Sequence, residues 1–108
     1  MSSDGGYEVL APSDMETLVS EWVTSQWFPA EHVTVGIAIH APGGGHFRHS
    51  HPDSEEILYV LYGDAVIRFF PDGETEEHPA PIGTMIYISA GVEHEAEVSG
   101  WEPWKALC

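Results

Sequence analysis

The sequence predicts an all-β domain built as a sandwich or barrel of short antiparallel strands. Three observations carry this. From Glu31 onward, runs rich in β-branched and aromatic residues recur about every ten residues. Turn signals containing Gly or Pro separate them, as in Ala41-Pro42-Gly43-Gly44-Gly45 and Pro71-Asp72-Gly73. After Gly43 no run has room for a helix of ordinary length. At 108 residues the expectation is one domain around one core.

Taken in order, residues 1–15 read as a loose N-terminal segment, small and polar at its start, and 16–108 as the barrel. Between Ser13 and Trp27 local signals conflict. Ser13-Asp14-Met15-Glu16 has the form of a capping box, and Met15, Leu18, Val19, Trp22 and Val23 fall at helical spacing. The Thr, Val and Trp content of Thr17 to Trp27 favours strand. His32 to His40 is the first clear strand, with Val33, Val35, Ile37 and Ile39 on one face. Phe47 to His51, Glu56 to Leu61 and Ala65 to Phe70 follow. After the tip at Pro71-Asp72-Gly73 come Glu74 to His78, Thr84 to Ile88, Glu93 to Val98 and Pro103 to Leu107. In Glu93 to Val98, Glu93, Glu95 and Glu97 face solvent if His94, Ala96 and Val98 take the other side.

The segment from Gly43 to Gly63 concentrates the chemistry. His49 and His51 alternate with Arg48 and Ser50, so on a strand both imidazoles project to one side, about 6.6 Å apart at roughly 3.3 Å per residue. Pro52, Asp53 and Ser54 turn the chain, after which Glu56 can point back at the same ion. His94, following the turn Ser89-Ala90-Gly91, is the best candidate for a fourth ligand. Imidazole with carboxylate suits Fe(II), Mn, Ni, Cu or Zn, whereas Ca and Mg prefer oxygen donors throughout.

Composition narrows the partners. Eighteen acidic against three basic residues give a formal charge of −15, which repels phosphate backbones and anionic membranes, so neither nucleic acid nor a membrane is expected. The first residues, MSSDGGYEVL, lack the basic start and apolar core of a secretory signal, and no apolar run approaches the roughly 20 residues of a membrane helix. The lone cysteine, Cys108, excludes an internal disulfide. A cytoplasmic protein is the expectation. The apolar segment Trp101 to Leu107 and the exposed edges of a small β domain suggest a homodimer.

The spacing of the candidate ligands resembles the cupin superfamily, small antiparallel β-barrels with two short motifs. The first runs Gly43, five residues, His49, one residue, His51, four residues, Glu56, six residues, Gly63, and every fixed position is filled. The second runs Gly83, five residues, Ser89, Ala90, Gly91, two residues, His94. Ser89 stands where the family usually has proline, and Val98 where it often has asparagine. The resemblance implies a jelly-roll barrel whose mouth binds one divalent transition metal through His49, His51, Glu56 and His94. It also tips Leu18 to Trp27 toward a strand, and its six-residue gap to Gly63 selects Glu56 over Glu55.

A metal-dependent enzyme acting on a small organic molecule is what this resemblance implies, first a dioxygenase or other oxidoreductase. Isomerases, decarboxylases and lyases with the same ligand set are the alternative, as is a non-catalytic module that binds a small ligand or a metal. Phe47, Arg68 and Tyr87 are the candidates for pocket lining. Phe47 shares parity with both histidine ligands and so should face the interior, as core if not as pocket. Arg68 either binds a substrate carboxylate or, the commoner case on an acidic surface, pairs with a glutamate. Tyr87, with the other aromatics, is more often core or interface than pocket. His32, His40, His46 and His78 read as structural or solvent-exposed.

Overall fold

The computed structural model describes residues 6–20 and 23–108. Ten strands form two antiparallel sheets: β1 (Glu16–Val19), β2 (Val23–Pro29), β3 (Thr34–His40), β4 (Gly45–His49), β5 (Glu56–Tyr62), β6 (Ala65–Phe69), β7 (Glu76–Pro79), β8 (Met85–Ile88), β9 (His94–Val98) and β10 (Trp104–Leu107). One sheet runs β1-β2-β3-β10-β5-β8 and the other β4-β9-β6-β7, the double-sheet arrangement of a jelly roll. Among the described residues there is no α-helix, only 3-10 turns at Pro12–Asp14 and Pro71–Gly73. Among the described residues no helix is long and apolar enough to cross a membrane.

The undecided segment after Ser13 resolves as two strands. β1 and β2 form a hairpin in which Glu16 pairs with Trp27 and Val19 with Thr24, so the single strand expected from Leu18 to Trp27 is two. β-branched side chains prevail over the helical spacing there. Trp22 of that spacing lies outside the described residues, as do residues 1–5 of the expected loose terminus. All four residues of β1 are exposed.

A packed core fills the space between the sheets. Val60, Ala65, Ile67, Ala80, Val98, Trp104 and Ala106 form a cluster in which each is at most 5% exposed, with Leu58, Phe69, Ile86 and Ala96 against it. The Trp104 indole N–H donates to the Ala80 carbonyl at 3.1 Å, so burying this ring leaves no polar atom stranded. Trp104 and Ala106 therefore belong to the core, which removes them from the subunit interface expected over Trp101 to Leu107. Trp101 is 98% exposed.

In β3 the apolar alternation marks the outer face. Gly36, Ala38 and His40 are buried, while Val35 and Ile39 are exposed. Gly36 carries no side chain because Trp27, its cross-strand partner, lies over it; a Cβ there would overlap the Trp27 ring.

Candidate metal centre

The open end of the barrel gathers the histidines. On β4 and β9, His46 pairs with Ala96 and His49 with His94. Between those pairs two residues, Phe47 and Arg48, face one, Glu95, and the ladder bulges. The extra residue resets the alternation, so His46 and His49 share the inner face despite their odd spacing. Phe47 is consequently 94% exposed, which corrects the inward orientation expected from its parity with His49. His51 also departs from expectation. It lies beyond the end of β4, in a loop where its carbonyl accepts from the Gly91 amide at 2.8 Å.

One ring nitrogen from each of His49, His51 and His94 lies within 4.8 Å of the others. Glu56, at the start of β5 in the opposite sheet, brings Oε1 to 3.4 Å from His94 Nε2 and 3.8 Å from His51 Nε2. The three imidazoles therefore cluster, with Glu56 beside two of them. His94 is 5% exposed, whereas the His51 side chain at the rim is 44% exposed.

Backbone carbonyls orient two of these rings. His49 Nδ1 lies 2.6 Å from the Phe47 carbonyl and His94 Nδ1 3.0 Å from that of Val92. A carbonyl only accepts, so each Nδ1 carries the proton and each Nε2 keeps its lone pair for an ion. Metal–nitrogen bonds of about 2.1 Å hold three mutually neighbouring donors no more than about 3.6 Å apart. Closure on an ion therefore draws the three rings inward from their present spacing, a movement side-chain torsions supply. Donor types, spacing and tautomers all fit a divalent transition metal.

Neighbouring groups reinforce this polar pocket. His46 is held down to a pKa of about 4, first by desolvation and then by the surrounding His40 and His49. Burial also lowers His40, which is 1% exposed. The Cys108 thiol is pushed up to about 11 by burial and then by the Glu56 carboxylate. Following Trp104 and Ala106 at the inward parity of β10, Cys108 extends the inner wall toward the site.

The other pocket candidates lie elsewhere. Arg68 sits on the outer face of β6, bonded to Glu77 and Glu97 at 2.7 Å each, with Glu95 3.6 Å away. This is the glutamate pairing the acidic composition favoured, and Arg68 does not line the interior. Tyr87 is 59% exposed and its hydroxyl donates to Glu55 at 2.6 Å. It lines a cleft of about 500 Å³ with Phe69, Ile88 and Val92. Phe69 and Ile88 are the cross-strand partners of His94 and Glu56, so this cleft flanks the four-residue cluster. Sequence reasoning read His40 and His46 as structural or solvent-exposed; the structure buries His40 and leaves His46 exposed beside His49. The inward parity of His40 with Ala38 signalled its burial; the bulge that sets His46 beside His49 has no local signature.

The family profile described as "Cupin domain" matches residues 36–108. Comparison with curated proteins finds no match. Among solved structures, oxalate decarboxylase of Lactobacillus farciminis, in its formate complex, superposes with a TM-score of 0.80 at 24% identity, over 88% of this chain and 30% of that one. The CENP-C cupin domain of Drosophila melanogaster gives 0.79 at 14% identity, over 93% and 77%. Fe(II)-HppE with the alternative substrate (S)-1-HPP gives 0.80 at 16% identity, over 96% and 60%. These likenesses concern the fold.

Proposed function

The chain belongs to the cupin family, and from that premise we propose that it is a small metalloenzyme acting on a small organic substrate, first as a dioxygenase or other oxidoreductase. The observation that carries this reading is the approach of His49, His51 and His94 nitrogens to within 4.8 Å of one another, with Glu56 Oε1 beside two of them. These four residues would hold one divalent ion, Fe(II), Mn, Ni, Cu or Zn by donor type. When bound, such an ion supplies Lewis-acid polarisation of a substrate oxygen and, for Fe(II) or Mn, redox chemistry. The chain's own contribution is to hold His49 and His94 as Nδ1–H tautomers with Nε2 free to bind, and to keep the Glu56 carboxylate beside His51 and His94. Four protein ligands leave open positions for substrate. Decarboxylase, isomerase or lyase chemistry is the alternative on the same ligands, and the oxalate decarboxylase likeness keeps it in view.

Anaerobic reconstitution with Fe(II) or Mn(II), followed by an oxygen-consumption screen over diketones, catechols and keto acids, tests the reading. Metal-dependent turnover of one substrate class supports it. Tight ligand binding without turnover in any oxidative or non-oxidative assay favours a non-catalytic module, a reading in keeping with the CENP-C cupin domain solved bound to CAL1.

A homodimer and a cytoplasmic setting complete the proposal. The dimer draws support from the outer face of the six-stranded sheet, where Ile57, Tyr59, Met85 and Tyr87 on β5 and β8 are exposed beside Leu107, Val35 and Ile39. Sedimentation giving a monomer at high micromolar concentration rejects it. No membrane or nucleic-acid partner is proposed, in keeping with the −15 charge.

A further inference from the structure

Two further histidines, one buried and one exposed, stand beside the proposed ligand set. His40, the last residue of β3, stacks on Trp104 at 5.5 Å between ring centroids and meets His46 edge-on at 4.3 Å. His46 in turn lies 5.6 Å from His49. A row of rings thus runs from the packed core to the candidate metal ligands. His40 is 1% exposed and its Nδ1 has no hydrogen-bond partner among the described residues, although buried polar atoms nearly always find one. His46 is different. It is exposed to water, yet its ring lies between those of His40 and His49, which sets it beside the candidate ligands.

We propose that His46, braced by His40, is a binding residue that hydrogen-bonds an oxygen of a small carboxylate anion held at the metal centre. This rests on the metal reading above. An imidazole offers one donor and one acceptor, enough to fix one oxygen of a ligand whose other oxygen faces the metal. His40, clamped on the Trp104 indole, fixes the plane of the His46 ring. The charge distribution selects an anion. In a chain of formal charge −15, the imidazoles of His46, His49, His51 and His94 gather near Glu56, with the buried His40 behind them. A divalent ion there leaves the cluster positive inside an acidic shell.

The test uses the whole chain loaded with Zn(II), which is diamagnetic, and pyruvate as the probe. Zinc content, pyruvate affinity by calorimetry and the ring ¹⁵N shifts of the histidines are measured for wild type, His46→Phe and His46→Gln. Expected are one zinc per chain in all three and a shift of the His46 nitrogens on adding pyruvate. Pyruvate affinity should fall at least about tenfold in His46→Phe, with part of it regained in His46→Gln, in line with a hydrogen bond to a charged group. Affinity within twofold of wild type in His46→Phe, no pyruvate binding to the zinc-loaded wild type, or loss of zinc from both variants overturns the assignment. Wild type that takes up no zinc overturns the metal reading itself, a result distinct from these three.

Discussion

Glu56 Oε1 lies 3.4 Å from His94 Nε2, bringing a carboxylate from one sheet against an imidazole from the other across the barrel interior. A cation between them would be held by both sheets at once. Replacing Glu56 with Gln keeps the shape but removes the charge, and metal affinity is expected to fall by roughly 10- to 100-fold or more, beyond what losing a residue behind a ligand costs. Competition against a chelator measures this. An unchanged constant would place Glu56 outside the ligand set.

Metal affinity should also depend on acid. Imidazoles bind ions only when deprotonated, with an ordinary pKa near 6.5. Affinity is therefore expected to drop steeply below about pH 6. A constant that stays flat from pH 8 to 5 would count against three imidazole ligands.

The metal-free protein carries a separate pH dependence. Burial holds His40 below its usual 6.5, and His46 is held at about 4. The unfolded chain then binds more protons than the folded one as pH falls below 6.5, so stability is greatest above 6.5 and is lost toward the folded pKa values. Urea midpoints should decline from pH 7.5 to 5, and His40→Phe should flatten that decline. An equal slope in the variant would mean His40 does not resist protonation.

Gly63 has φ +83°, and a Cβ there would overlap the carbonyl of Pro103. Its role is to let the turn between β5 and β6 pass close to the start of β10. Gly63→Ala is expected to cost about 2 kcal/mol or more, from the left-handed conformation and the displaced backbone together. Thermal melting checks it; a melting temperature within a degree of wild type would refute it.

The succession of short strands and the spacing of the candidate ligands were legible because glycine-bounded turns and motif spacings are local properties of the sequence. Ends of strands agreed closely for Glu56 to Tyr62 and His94 to Val98. What escaped was decided between strands. The bulge at Phe47 and Arg48 depends on how β4 meets β9, so counting alternate residues sent Phe47 inward and gave no hint that His46 would sit beside His49. Likewise Val35 and Ile39 mark the outer face of β3 because the inner one must leave room for Trp27 over Gly36. A β-branched stripe cannot report which of two faces a distant indole will fill.

Elemental analysis of the untagged protein, purified without chelators, tests the central claim most directly. The expected result is close to one transition-metal ion per chain in wild type and a near-complete loss in His49→Ala with the fold retained. Wild type without metal after reconstitution, or a His49→Ala variant carrying as much metal as wild type, would contradict it.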